Sequence, residues 1–100
     1  MHARITRVVI QPGKINDAIK TYRDVILPAS RKQDGFVDAI LLIDRDTSTG
    51  ISLTFWESEI AMTDSEISAY YVEQLRKMAQ FFAGMPGCEA FEIAVFASKE

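Results

Sequence analysis

Histidine, cysteine and tryptophan occur once each, as His2, Cys88 and Trp56, and proline only 3 times in 100 residues. A single cysteine cannot close an internal disulfide, so a reducing, cytoplasmic setting is the default expectation. A single histidine at the extreme N-terminus makes no metal site, and a Cys–His nucleophile would need two distant stretches of chain to meet. Cys88 follows the turn GMPG and reads as a small, semi-buried residue. No basic excess exists: 11 Lys and Arg stand against 14 Asp and Glu, a net charge of −3, which leaves no nucleic-acid footprint. No apolar run approaches the ~20 residues that span a bilayer. The opening MHARITRVVI lacks the apolar core and small-residue cleavage site of a signal peptide, which argues against export. Gly-rich phosphate loops, Walker motifs and zinc-ligand spacings are missing as well.

What is present suits one globular domain over residues 1–100, with 48% apolar residues. The elements read strand, helix, strand, strand, helix, strand. RITRVVI (4–10) is a short β-branched run stopped by Pro12-Gly13. Ile15, Ala18, Ile19, Tyr22 and Ile26 follow at helical spacing, with Pro28 making the last turn irregular because it has no N–H to give. FVDAILLID (36–44) and ISLTFW (51–56) read as a hairpin across RDTSTG. TDSE (63–66) has the form of a capping box with Thr63 as the cap, and Ile67, Tyr71, Leu75, Met78, Ala79 and Phe82 form the helical stripe behind it. FEIAVFA (91–97) reads as the last strand. The order predicts an α+β, ferredoxin-like split β-α-β fold (βαββαβ): an antiparallel sheet with two helices on one face.

Alternation divides the sheet into two faces. One is expected to hold Val8, Ile10, Val37, Ala39, Leu41, Ile43, Ile51, Leu53, Phe55, Phe91, Ile93 and Val95, all apolar and suited to the helices. The other is expected to hold Ile5, Arg7, Val9, Asp38, Ile40, Leu42, Ser52, Thr54, Trp56, Glu92, Ala94 and Phe96. Ile40, Leu42, Trp56 and Phe96 make a patch too apolar to leave wet, and both helices are committed elsewhere. A second copy of the chain is the economical cover, so a homodimer is expected, with Arg7, Asp38 and Glu92 as ion-pair partners inside its interface.

The element order, QPGK after the first strand, DGF opening the second and TFWES closing the third resemble the antibiotic-biosynthesis-monooxygenase-like domains of the dimeric α+β barrel superfamily. The resemblance covers nearly the whole chain. It implies a ferredoxin-like protomer, a homodimer whose sheets face each other, and a small apolar pocket between sheet and helices. It also implies a cofactor-independent oxygenase acting on phenols or quinones, or else a non-enzymatic binding or structural dimer. The haem-degrading members place an Asn on the first strand, near Thr6 here, and a Trp and an iron-ligating His on the second helix. That helix has neither Trp nor His, so haem degradation by that route is disfavoured; a haem-binding protein would need an unusual ligand such as Tyr71 in place of histidine, and no metal or cofactor is expected.

Within the implied pocket, Tyr71 and Thr6 are the candidates to orient a substrate, with Tyr70 as a second donor. The plainer reading of Tyr71 is a residue of the core stripe with its hydroxyl at a rim. Leu53, Phe55, Met78 and Phe82 are expected as the apolar walls, and are otherwise ordinary core. Trp56, Ile40, Leu42, Phe96 and Arg7 are assigned to the dimer interface. The expected guest is a small apolar or aromatic molecule.

Overall fold

The computed structural model describes residues 1–99. Strands β1 (His2–Val9), β2 (Phe36–Asp44), β3 (Thr49–Trp56) and β4 (Gly87–Glu92) form one sheet in the order β2-β3-β1-β4, every neighbour antiparallel. α1 (Ile15–Thr21), a π-helical stretch (Tyr22–Ile26) and α2 (Leu27–Ser30) connect β1 to β2, while α3 (Glu59–Ile67) and α4 (Ala69–Ala79) connect β3 to β4. This is the ferredoxin-like βαββαβ architecture, with the helices layered on one side of the sheet.

The first crossover is shaped by a widened turn. Leu27 donates its N–H to the Tyr22 carbonyl, five residues back, just before Pro28 withholds a donor. Ala18, Tyr22, Ile26 and Ser30, each four residues apart, are all buried. An α-helix of 3.6 residues per turn would carry such a row gradually around its surface; the wider turn keeps it facing the sheet.

The second crossover departs from the expected capping box. Ser58, not Thr63, caps the helix: its Oγ accepts the Ala61 N–H at 3.1 Å, and Thr63 lies exposed inside α3. α3 stops where Ser68 turns extended (φ −70, ψ 159) and its hydroxyl donates to the Ser65 carbonyl at 2.8 Å, an alternative to continuing the helix. The expected single helix is therefore two. Ile67, at the end of α3, is 78% exposed instead of part of the buried stripe. At the entrance to β2, Gly35 has φ +80, and a Cβ there would collide with that of Ala61 in α3.

Register corrects the face assignment of β3. Thr6 stands opposite Ser52, Arg4 opposite Thr54 and His2 opposite Trp56, so these share the helix-covered side with Val8 and Ile10. Leu41 pairs with Ser52 and Ala39 with Thr54 on that same side. Ile51, Leu53 and Phe55 consequently point to the open face, opposite to expectation, alongside Ile5, Ile40 and Leu42. Phe91, opposite Ala3, joins them, and β4 begins four residues before the expected strand.

Two buried groups close the ends of the helix–sheet layer. Ile10, Ala18 and Phe81 form one, packed by Val8, Ile15, Ile43 and Met78. At the other end Trp56 is 0% exposed, edge-on to Phe36 with ring centroids 5.6 Å apart, and its Nε1 donates to Thr54 Oγ1 at 3.0 Å. Trp56 is thus a core residue, not an interface anchor.

Candidate functional site

Between those two ends the layer is under-filled. The cavity there has a volume of about 90 Å³. Its floor is the sheet: Thr6 and Val8 from β1, Leu41 from β2, Gly50, Ser52 and Thr54 from β3. One wall is the widened helix with Tyr22, Ile26 and Ser30; the other is α4, which turns Tyr70, Tyr71, Gln74, Leu75 and Met78 inward at spacings of three and four.

Five of the sequence-derived site residues meet here: Tyr71, Thr6, Tyr70, Met78 and Phe82. Leu53 and Phe55 do not, because β3 presents its even-numbered residues to the helices. Ile40, Leu42 and Phe96 lie on the far side of the sheet, 43%, 47% and 63% exposed. The Phe96 ring sits edge-on to Phe55 at 6.4 Å. Arg7 is also exposed there, and its Nε lies 3.8 Å from Glu89, not from Asp38 or Glu92 as expected.

Arg4 was not singled out from the sequence, yet it is the most distinctive group in the site. It is 5% exposed. Its Nε donates to Glu66 Oε1 at 2.9 Å, and its Nη2 donates to the Met62 carbonyl at 2.8 Å and to Ser65 Oγ at 2.9 Å. Its Cζ lies 4.3 Å from the centre of the Tyr71 ring and 5.5 Å from that of Trp56, a cation held between two aromatic faces. A buried charge needs such pairing, because removing it from water is costly.

The tyrosines are donors rather than bases. Tyr71 lies 3.1 Å from the Cys88 sulfur, and burial, then the Cys88 contact, push its pKa up to about 12. Burial likewise raises Tyr22, whose hydroxyl lies 2.8 Å from Ser52 Oγ, and Tyr70. Ser30 Oγ donates to the Ile26 carbonyl at 2.9 Å, so the Tyr70 hydroxyl, 2.5 Å away, donates to Ser30. All three phenols keep their protons at neutral pH. Signals for the missed residues were available. Arg4 has the parity of Val8 and Ile10, Ser30 continues the every-fourth row, and Gln74 is a polar residue on the stripe of Tyr71 and Met78.

The family model described as antibiotic biosynthesis monooxygenase matches residues 1–73. The chain belongs to that family. Among curated relatives, the uncharacterized proteins Rv2557 and Rv2558 of Mycobacterium tuberculosis are 33% identical over 94 residues and 34% identical over 96. These alignments cover 94% and 95% of this chain but 41% and 39% of the relatives, so the chain spans well under half of their length. Among solved structures, a monooxygenase from the gene ActVA-Orf6 of Streptomyces coelicolor, in complex with the ligand Nanaomycin D, superposes with a TM-score of 0.79 at 16% identity, covering 97% of this chain and 92% of its own. SnoaB, a cofactor-independent oxygenase from Streptomyces nogalater, gives 0.78 at 12% identity over 95% and 94%. Rv0793 of M. tuberculosis gives 0.74 at 18% identity over 97% and 98%. These likenesses establish the fold. Among the described residues no helix is long and apolar enough to cross a membrane, and no cluster of metal-ligating side chains occurs.

Proposed function

We propose that the protein is a cofactor-independent monooxygenase acting on a small, flat phenol- or quinone-type molecule bound between the sheet and α4. The observation that carries this reading is the cavity itself: an apolar space edged by neutral tyrosine hydroxyls and a buried guanidinium. Members of the same fold include an oxygenase described as cofactor-independent and a monooxygenase solved with Nanaomycin D. Arg4 would favour the enolate of an acidic C–H substrate, and Tyr71 would donate a hydrogen bond to its oxygen. The enolate would pass an electron to molecular oxygen, and recombination at the carbanion carbon would form a peroxide there. Loss of water from that peroxide turns the CH₂ into a carbonyl. One oxygen atom ends in the product and one in water.

A hydroxyanthrone is a suitable probe. Oxygen uptake above the protein-free rate, with the matching quinone as product and a loss of several-fold or more in Tyr71→Phe, is the expected outcome. A rate equal to the blank refutes the enzymatic reading. The competing reading is binding without turnover, favoured by one observation: no Asp, Glu or His lines the cavity, so no side-chain base stands ready. A rise in melting temperature with the probe, without oxygen uptake, would mark that case.

The open sheet face supports a homodimer as part of the same proposal. Ile40, Leu42, Phe91 and Phe96 are exposed there beside the half-buried Ile51, Leu53 and Phe55, with Arg7 at the margin. An exposed free thiol, Cys88, suits a reducing cytoplasm.

A further inference from the structure

A residue lining the cavity ends in a polar atom that the fold leaves unanswered. Gln74 Oε1 is buried and has no hydrogen-bond partner among the described residues. Its side chain projects from α4 into the cavity, one turn beyond Tyr70 and one turn before Met78. An unpaired buried amide is costly, and folded proteins seldom keep one without a reason. A second group stands partly unanswered nearby. Arg4 spends Nε and Nη2 on Glu66, Met62 and Ser65 in α3, while Nη1 makes no bond to a described residue. Arg4 lines the same cavity. One vacancy is therefore an acceptor waiting for a donor, and the other is a cationic donor waiting for an acceptor. No neighbouring hydroxyl fills the first in the fold: Tyr70 is committed to Ser30, and neither Tyr22, beside Ser52, nor Tyr71, beside Cys88, bonds the Gln74 amide oxygen.

We propose that Gln74 is the specificity-determining residue of this cavity, reading a hydroxyl or N–H donor on the bound molecule while Arg4 holds a carbonyl or oxyanion elsewhere on it. The inference rests on the small-molecule reading above and narrows it. A purely apolar aromatic would leave the Gln74 amide unpaired and bind poorly; a flat molecule with both a carbonyl and a free hydroxyl satisfies both groups. The discrimination runs against alkylated analogues, because an ether in place of the hydroxyl accepts but does not donate.

Matched coumarins test this. 7-Hydroxycoumarin and its methyl ether share ring and carbonyl and differ in the donor; at about pH 6 the phenol keeps its proton. Their affinities for the wild-type protein and for Gln74→Leu are measured by fluorescence titration, and both proteins are melted without ligand. Wild-type protein is expected to favour the hydroxy compound by about tenfold, the ratio that accompanies one buried group left unpaired. Gln74→Leu is expected to lose that preference and to melt no lower than wild type, since it removes an unsatisfied amide at similar volume. Equal binding of the two coumarins to wild type, or a preference that survives in Gln74→Leu, overturns the role of Gln74 while leaving the cavity a binding site. A marked fall in the melting temperature of Gln74→Leu also overturns it, because the amide would then be paired within the fold. Failure of both coumarins to bind wild type removes the small-molecule reading, and the inference with it.

Discussion

At the scale of single residues, burial and hydrogen bonding decide what each aromatic can do. Trp56 is enclosed by Phe36 and the Arg4 guanidinium, so its ring holds one end of the helix–sheet layer. Trp56→Ala is expected to cost about 3–5 kcal/mol, the usual penalty for emptying a large aromatic site. For a domain whose whole stability is ~5–15 kcal/mol that is a large share, measurable as a shift in the urea midpoint. The tyrosines predict a pH response. Tyr71 titrates at about 12 in the fold, and Tyr22 and Tyr70 are also raised. An unfolded tyrosine ionises near ~10, so between about pH 10 and 12 the native state binds more protons than the unfolded one. Stability is then complete below ~10 and declines as pH rises through the folded values. Melting temperatures across this range should fall, and Tyr71→Phe should fall less steeply; an identical slope in the variant would mean that Tyr71 is not shifted.

At the scale of elements, the sequence marked the segments more reliably than their starts and facings. The TDSE pattern at residues 63–66 is a fair capping box, but Ser58, two residues after the strand, caps first, so the helix is already under way at Thr63. Ser58→Ala is expected to lower stability by about 1 kcal/mol, whereas Thr63→Ala should stay within about 0.5 kcal/mol as an exposed mid-helix change. Thermal denaturation of the two variants separates the alternatives, and a reversed order would restore the capping box. The β3 facing failed for a different reason. Ile51, Leu53 and Phe55 are more apolar than Ser52, Thr54 and Trp56, so hydrophobicity alone turns them toward the helices. Register turns them away, because Ser52 and Thr54 pair with Thr6 and Arg4 on the helix-covered side, and the open side that receives Ile51, Leu53 and Phe55 is itself apolar. A strand with two usable faces carries little information about which one is inside.

At the scale of the molecule, that reversal makes the open face more apolar than alternation suggested and strengthens the expectation of a homodimer. Phe55→Asp should give monomers or aggregates in sedimentation at micromolar concentration, since the carboxylate would enter the proposed interface without a partner. Wild-type protein should sediment as a dimer. A wild-type monomer that melts as cooperatively as a finished fold would refute this interface.

Composition, periodicity and turn residues were enough to determine the α+β class, its βαββαβ order, and the shared helix face of Tyr71, Leu75 and Met78, because each of these follows from contacts close in sequence. Thr6 joined them only through the family resemblance. Arg4 lies 62 residues from Glu66, so no local pattern could pair them. The inward turn of Trp56 needed the register of β3 against β1 and β2, and the orphaned amide of Gln74 needed the gap between α4 and the sheet. Those features depend on where distant segments come to rest against one another, and only the packed tertiary structure decides that.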